Sequence, residues 1–539
     1  MRNRLKNTPI MKKLSAILLS FILCAYACAA EKRPNFLIIV ADDMGYSDAG
    51  CYGGEIQTPV IDSLAKTGLR YTDFYNTARC WTTRSSVMCG YYHTQLNTEN
   101  PNVKKHPAWI RSLAQMLKPL GYDCYLSGKW HVYPFKKISA DAGFDRSYYL
   151  HDDNYLFAPK VHFLDDKPLP AVADGNGYGY TTKGVTDYMI DFLKEHKRDR
   201  PNEPFFAYLA YIVPHFPLMA PADAIAANSG KYAEGWDVFR AKRLARMKEL
   251  GFPPKWSLPP TERSISAPSN REGLEEAISK LGDGEIGRAA AWDDLTQKQK
   301  DFQAKKMEIH AAMVESMDKD IGRVIDLLKA EGEFDNTVIM FFSDNGASAE
   351  IMVRGDGHDP SAPMGSAKSY LCLGPGWAGM SNTPFRRYKI WTHEGGISTP
   401  FIVHWGDKIK DGGAFRTAPA HVVDIVPTIL SLAGSNAERA SENAPKFPGK
   451  DISATFFSDK PVDRDFLYFS HSQNRALRMG DWKIVCADFR GEKLKWALYN
   501  LKDDRAETRD LSEKYPEKLK EMVSVWEKAD AEFSADAKK

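Results

Sequence analysis

Asn35-Phe36-Leu37-Ile38-Ile39-Val40 runs directly into Ala41-Asp42-Asp43. The run shows no polar alternation, so it predicts a strand buried on both faces, with two acids at its carboxyl end. The same arrangement recurs along the chain. Residues 205–211 form a second such strand and end at Val213-Pro214-His215. Residues 337–342 lead into Asp344-Asn345-Gly346, and 124–126 precede Gly128-Lys129-Trp130-His131. Shorter strands are predicted at 70–75 and 401–404. Helical patterns lie between them at 58–68, 107–120 and 309–329. The first of these has Thr58 as cap, Pro59 at its first position and Gly68 at its stop. Alternating strands and helices give an α/β protein with a large, mostly parallel, mixed central sheet flanked by helices. Polar residues fall repeatedly just past strand carboxyl ends, where open α/β sheets place their ligands.

Outside this core the pattern changes. Residues 221–300 are rich in charge and alanine and carry Pro253-Pro254 and Pro259-Pro260; they read as a helical insertion over the site mouth. Near 434–449 a polar linker follows. From about 450 to 539, short strands at 466–470, 482–486 and 496–499 and a helix at 516–529 predict a small α+β domain with an antiparallel sheet. At the other end, Arg2, Arg4, Lys6, Lys12 and Lys13 precede the apolar run 14–30, which ends in Ala27-Cys28-Ala29-Ala30. This is the form of a cleaved secretory signal over 1–30, with an uncleaved anchor as the alternative. It predicts a periplasmic or secreted protein without stable membrane insertion. No lipid anchor at Cys28 is expected, since Ala25-Tyr26-Ala27 lacks the usual leucine.

The chain has 539 residues, 43% hydrophobic and 26% charged, enough for a large core. Lys+Arg 72 against Asp+Glu 70 leaves a net charge of +2, which excludes general nucleic-acid binding and makes any anion site local. Of 8 cysteines, Cys24 and Cys28 fall in the signal. Cys51, Cys80, Cys89, Cys124, Cys372 and Cys486 are scattered, with no C-x-x-C pair for zinc or redox work.

Asp42 and Asp43 repel each other unless they share a cation. Asp344 and Asn345 add a carboxylate and an amide oxygen from another strand end. This all-oxygen set suits calcium or magnesium better than zinc; an isolated Asp-Asp pair would instead read as a turn or cap. Cys80-Trp81-Thr82-Thr83-Arg84 enters a helix. Cys80 reads either as a small buried residue or as a thiolate activated by Arg84. A thiolate is a poor partner for a hard cation, so neither reading accounts for the neighbouring acids. Lys129 and His131 share one side of an extended segment. With His215 and Lys389, which stands before Glu394-Gly395-Gly396, they form a candidate anion cradle with a histidine as general acid.

Asp42-Asp43, Cys80 to Gly90, Gly128 to His131, Pro214-His215, Asp344 to Gly346 and 389–400 occur in the order and spacing of the sulfatases, across most of 34–434. Leu498-Tyr499-Asn500-Leu501 resembles a C-terminal segment of that family, and 214–221 is similar to bacterial arylsulfatases. The resemblance implies an alkaline phosphatase-like fold and a catalytic sulfatase domain over 31–435. It also implies formylglycine made from Cys80 by a formylglycine-generating enzyme, and one calcium ion held by Asp42, Asp43, Asp344, Asn345 and the modified Cys80. By the same likeness Arg84, Lys129 and Lys389 hold sulfate and the aldehyde hydrate, His131 assists hemiacetal breakdown and His215 protonates the leaving group. The expected substrate is a sulfated carbohydrate or an aryl sulfate. Two positions depart from the family pattern: Thr82 replaces the proline or alanine of C-x-P-x-R or C-x-A-x-R, and Ser398 replaces the arginine after Glu-Gly-Gly-Ile. A phosphodiester or phosphonate monoester hydrolase of the same superfamily is the runner-up. An unconverted binding protein for sulfated glycans is the reading from another class.

Overall fold

The computed structural model describes residues 32–103, 105–150, 156–172, 179–269, 273–354, 357–487 and 494–539. The segment read as a secretory signal lies outside them. A ten-stranded sheet runs in the order Phe415–Arg416, Leu69–Tyr71, Phe401–His404, Thr337–Ser343, Asn35–Ala41, Phe205–Ala210, Asp123–Lys129, Arg146–Leu150, His162–Leu164, Lys167–Pro168. The five strands from Thr337–Ser343 to Arg146–Leu150 are mutually parallel, and antiparallel pairs flank them.

The apolar run at 35–41 is explained by burial on both sides. Leu37, Ile39 and Ala41 enter one core with Ile61 of the helix Pro59–Thr67, Met189 of Thr181–Asp199 and Ile321 of Gln297–Ala330. Phe36, Ile38 and Val40 enter the opposite core with Val87 of Cys80–Cys89, Leu113 of Leu113–Leu117 and Ile429 of Ile425–Leu432. Two helical layers therefore sandwich the sheet, and its strand ends remain the exposed edge on which a site can form.

Several expected elements have different limits. Thr58 precedes Pro59–Thr67, but its hydroxyl makes no cap. Asp318, from the long helix Gln297–Ala330, accepts from Val60 N at 3.1 Å and Ile61 N at 2.8 Å and caps the helix from outside. The expected helix 107–120 is confined to Leu113–Leu117 and a 3-10 turn Lys118–Leu120, because Ser112 forms a capping box with Gln115 and starts it there. The long helix begins at Gln297, ahead of the expected 309, on the capping box of Thr296 and Gln299. The expected strand 70–75 is split into Leu69–Tyr71 and Phe74–Tyr75. Residues 221–300 carry the helices Ala222–Ala227, Gly235–Glu249 and Leu274–Leu281.

Toward the C-terminus, Leu467–His471, Asn474–Met479, Trp482–Cys486 and Ala497–Asn500 form a separate antiparallel sheet. The strand Asn474–Met479 was not anticipated. One face packs on Met522, Trp526 and Phe533 of the helix Pro516–Asp536. The other packs Phe469, Ala476 and Val485 against Tyr75, Ala78 and Ile397. That second face backs the segments that lead to Cys80 and Glu394.

Candidate active site

Strand register brings the motif residues together. Ala41 pairs with Ser343, so the residues that follow, Asp42-Asp43 and Asp344-Asn345, emerge side by side. Val40 and Gly128 both pair with Ala210, which sets His215 and Lys129 beside them. Backbone bonds tie the loops: Asp42 N donates to Val213 O at 3.1 Å, Lys389 N to Ala347 O at 3.1 Å and Ile390 N to Ala78 O at 2.8 Å. Asp43, Ala78, His131 and Ile390 have φ of 65°, 64°, 50° and 75°. Left-handed backbone at non-glycine residues costs about 1 kcal/mol or more each, and here it clusters around the site.

All the buried cations of this region meet carboxylates. Arg84, the fifth residue of the helix Cys80–Cys89, is fully buried; its Nε donates to Asp344 Oδ2 at 2.7 Å and its Nη2 lies 3.5 Å from Asp42 Oδ2. Lys129 Nζ is 2.6 Å from Asp42 Oδ2, and Lys389 Nζ is 2.7 Å from Asp43 Oδ1. His215 Nε2 stands 3.6 Å from Asp43 Oδ2, while its Nδ1 bonds the Phe216 carbonyl. Asn345 Nδ2 donates to Asp43 Oδ1 at 2.6 Å. Cys80, at the first position of its helix, is 3% exposed. Burial pushes its thiol up; the fields of Lys129 and Lys389 lower it, and those of Asp42 and Asp344 raise it further. The cysteine thus sits among these four groups without becoming a ready thiolate. His131 stands toward the rim, its ring 5.7 Å from that of Trp81. It lines, with Lys129, Trp130, Tyr133 and Phe135, a cavity of about 910 Å³.

The electrostatics fit a hard cation. Burial would raise Asp42, but Lys129, His215, Arg84 and Lys389 hold it far below the usual carboxylate range. Asp344 is pushed up to about 7 by burial and by the charges of Asp42 and Asp43, against the pull of Arg84. Three carboxylates at one spot cannot all ionise cheaply unless further positive charge joins them. Asp42 Oδ1 and Asn345 Oδ1 are buried with no hydrogen-bond partner among the described residues. Asp42, Asp43 and His215 also offer ligand atoms within 4.8 Å of one another, a grouping the sequence did not indicate for His215. Orphaned oxygens among carboxylates suit calcium or magnesium.

Two residues escaped sequence reasoning. Glu350, the sixth residue after Asp344, places Oε2 3.3 Å from Lys389 Nζ and Oε1 3.2 Å from Arg79 Nη1. Arg79, which precedes Cys80, stacks on Trp81 with its guanidinium carbon 4.8 Å from the ring centre. Adjacency to a motif was the only signal for either. The two departures also acquire partners. Thr82 accepts from Thr77 Oγ1 at 2.7 Å and donates to Arg79 O at 2.9 Å. Ser398 donates to Glu394 Oε2 at 2.8 Å and accepts from Arg505 Nη2 at 3.3 Å, so a guanidinium reaches this place from the C-terminal segment. All six cysteines of the described residues are unpaired and buried.

The acid-rich, cation-braced site thus lies at the strand ends of the α/β sheet. The sulfatase family model matches residues 34–435, and the chain belongs to that family of sulfuric ester hydrolases. An uncharacterised sulfatase of Schizosaccharomyces pombe is 32% identical, the match covering 92% of this chain and 93% of the relative. An arylsulfatase of Klebsiella aerogenes is 29% identical, covering 83% and 97%. The crystal structure of Ps i-CgsB in complex with k-i-k-neocarrahexaose is similar in fold, with a TM-score of 0.64 at 22% identity over 94% of this chain and 93% of that one.

Proposed function

We propose that this sulfatase hydrolyses a sulfate monoester on a carbohydrate or aryl group, with formylglycine formed at Cys80 and one calcium ion held by Asp42, Asp43, Asp344 and Asn345. The observation that carries it is the convergence of Arg84, Lys129, Lys389 and His215 on the carboxylates beside Cys80. Formylglycine supplies the oxygen nucleophile that a buried thiol of raised pKa does not, and it requires a maturing enzyme that accepts Thr82. Calcium, when bound, supplies positive charge to the sulfuryl oxygens. Lys129 and Lys389 bind those oxygens, and Arg84 holds Asp42 and Asp344 in place. His215, whose Nδ1–H donates to the Phe216 carbonyl, protonates the leaving oxygen from Nε2 as the imidazolium, a form that burial opposes and Asp43 favours. His131, at the cavity side of Cys80, moves the proton that accompanies sulfate release. The basic and apolar N-terminus supports export to the periplasm or beyond, and among the described residues no helix is long and apolar enough to cross a membrane.

The test is the mass of the Cys80 peptide from protein made in its native host, with hydrazine trapping, alongside hydrolysis of 4-nitrophenyl sulfate and 4-nitrophenyl phosphate. A trapped aldehyde and preference for the sulfate are expected. An intact thiol with no turnover would reject the reading, and faster phosphate hydrolysis would move the chain to phosphoryl chemistry.

A further inference from the structure

The cations at this site fall into two groups by depth. The side chains of Arg84, Lys129 and Lys389 are 0%, 5% and 1% exposed and bind the metal-site carboxylates, whereas Arg79 is 16% exposed. Arg79 is thus the one of these four that reaches solvent, and the indole it stacks on lies 5.7 Å from His131 in the wall of the cavity. Its guanidinium is also fixed. Glu350 takes Nη1 at 3.2 Å, and the indole of Trp81 supports the plane at 4.8 Å. Glu350 is anchored in turn by Lys389 and by Ser348 Oγ, which donates at 3.1 Å. Trp81 is held by donating Nε1 to Glu99 O at 3.2 Å and by edge contacts with His131 and His471 at 5.7 and 6.1 Å. Nε has no hydrogen-bond partner among the described residues but is shielded from solvent, so the donor left for a ligand is the terminal nitrogen that Glu350 does not hold.

A guanidinium offers two parallel N–H donors along one edge, which match the two oxygens of a carboxylate or sulfate. A rigid arginine with one terminal nitrogen uncommitted fits an oxyanion that pairs with it. The surroundings carry both signs, the acids Glu350 and Asp43 facing the basic groups Lys389, His215 and Arg354. Burial would raise Glu350, but Arg79, Lys389, His215 and Arg354 hold its carboxyl well below the usual range, so it remains an ionised anchor. Arg354 also lies over the Phe216 ring, 5.4 Å from its centre, beside His215.

We propose that Arg79, oriented by Glu350 and Trp81, reads a second oxyanion, a carboxylate or a further sulfate, on the molecule that carries the scissile sulfate ester. This rests on the sulfatase reading and narrows its substrates to esters with at least two negative charges. Arg79 determines specificity, and Glu350 is its positioning residue.

The test compares wild type, Arg79→Gln and Arg79→Lys on 4-nitrophenyl sulfate, on 2-carboxy-4-nitrophenyl sulfate and on a disulfated glucosamine. The ratio of kcat/KM for a doubly charged ester to that for 4-nitrophenyl sulfate should fall about 10- to 100-fold in Arg79→Gln, the size of one charge-assisted pair. The loss should appear in KM, with Arg79→Lys recovering only part of it. The carboxylate and disulfate arms show which oxyanion is preferred. An unchanged ratio, with all substrates losing equally, overturns the proposal and places Arg79 on the scissile sulfate. If wild type hydrolyses none of the three, the sulfatase reading fails separately. Calorimetric binding of the doubly charged ester then decides on Arg79, since equal affinity in wild type and Arg79→Gln rejects it.

Discussion

Lys483→Met removes the centre of a buried charge cluster that joins the C-terminal sheet to the helix Glu394–Ile397. Lys483 is fully buried and donates to Glu394 Oε1 and Glu507 Oε1, both at 2.7 Å. Each charge-assisted bond contributes about 1.5–3 kcal/mol, and removing one side of a buried ion pair costs about 3–5 kcal/mol. Methionine fills the stem volume, so the cavity cost is small and the electrostatic figure of about 3–5 kcal/mol is expected at about pH 7, below the value of about 8 to which burial lowers Lys483. Burial raises the Glu507 carboxyl above its usual value, while Lys483, Arg386 and Arg505 pull it down; losing Lys483 raises it further. A carboxyl with a raised folded pKa contributes stability below its unfolded pKa and loses it as pH climbs through the folded value. The deficit should therefore shrink toward about pH 5, and Lys483→Met with Glu507→Gln should recover part of it. Urea unfolding followed by tryptophan fluorescence at both pH values is the assay, since Trp482, Trp496 and Trp526 belong to or pack on this sheet. A loss below about 1 kcal/mol, or one indifferent to pH, would refute the argument that the cluster is charged and buried.

Asp318 is pushed up to about 7, chiefly by burial, although two backbone amides bond it. Its raised folded pKa means that stability falls between about pH 4 and 7 by up to roughly 1.4 kcal/mol per pH unit from this group. Asp318→Asn should flatten that slope in denaturation curves, and an unchanged slope would assign the proton elsewhere. Lys389→Ala should lower kcat/KM on 4-nitrophenyl sulfate about 10²- to 10³-fold, as expected for one preorganised charge on the reacting group; under fivefold would remove it from the cradle. A methyl at Gly346 would meet Gly395 O at 1.9 Å, so Gly346→Ala must displace the Asp344-Asn345 loop. Calcium titration by calorimetry should show weakened or lost binding, and an unchanged isotherm would place the ion away from this loop.

The parallel core was legible because a strand covered on both faces carries no alternation, as 35–41 and 205–211 show. The start of Gln297–Ala330 was not, since its first turns are polar before Met307 and Ile309 enter the core. Asn474–Met479 was hidden in a tight hairpin whose turn includes Ser472 at φ 55°. Asp42, Asp43 and Asp344 could be read because each follows a strand and Lys129 because it ends one, whereas Lys389 follows a helix and was read from its place before Glu394-Gly395-Gly396. The Arg79–Glu350 pair could not, because its members lie 271 residues apart and neither matches a motif. Ser398 gave no hint that Arg505 would reach it, for the same reason.

The second face of the C-terminal sheet has a consequence in time. Ala78 and Ile397, beside Cys80 and after Lys389, are covered by Phe469, Ala476 and Val485. A ribosome releases these covering residues nearly four hundred positions after Cys80. Throughout that interval the cysteine's own segment lacks its back wall, and it closes only when the last part of the chain has been made. Synthesis itself therefore opens a window at Cys80 that the finished molecule, with this residue 3% exposed, no longer offers.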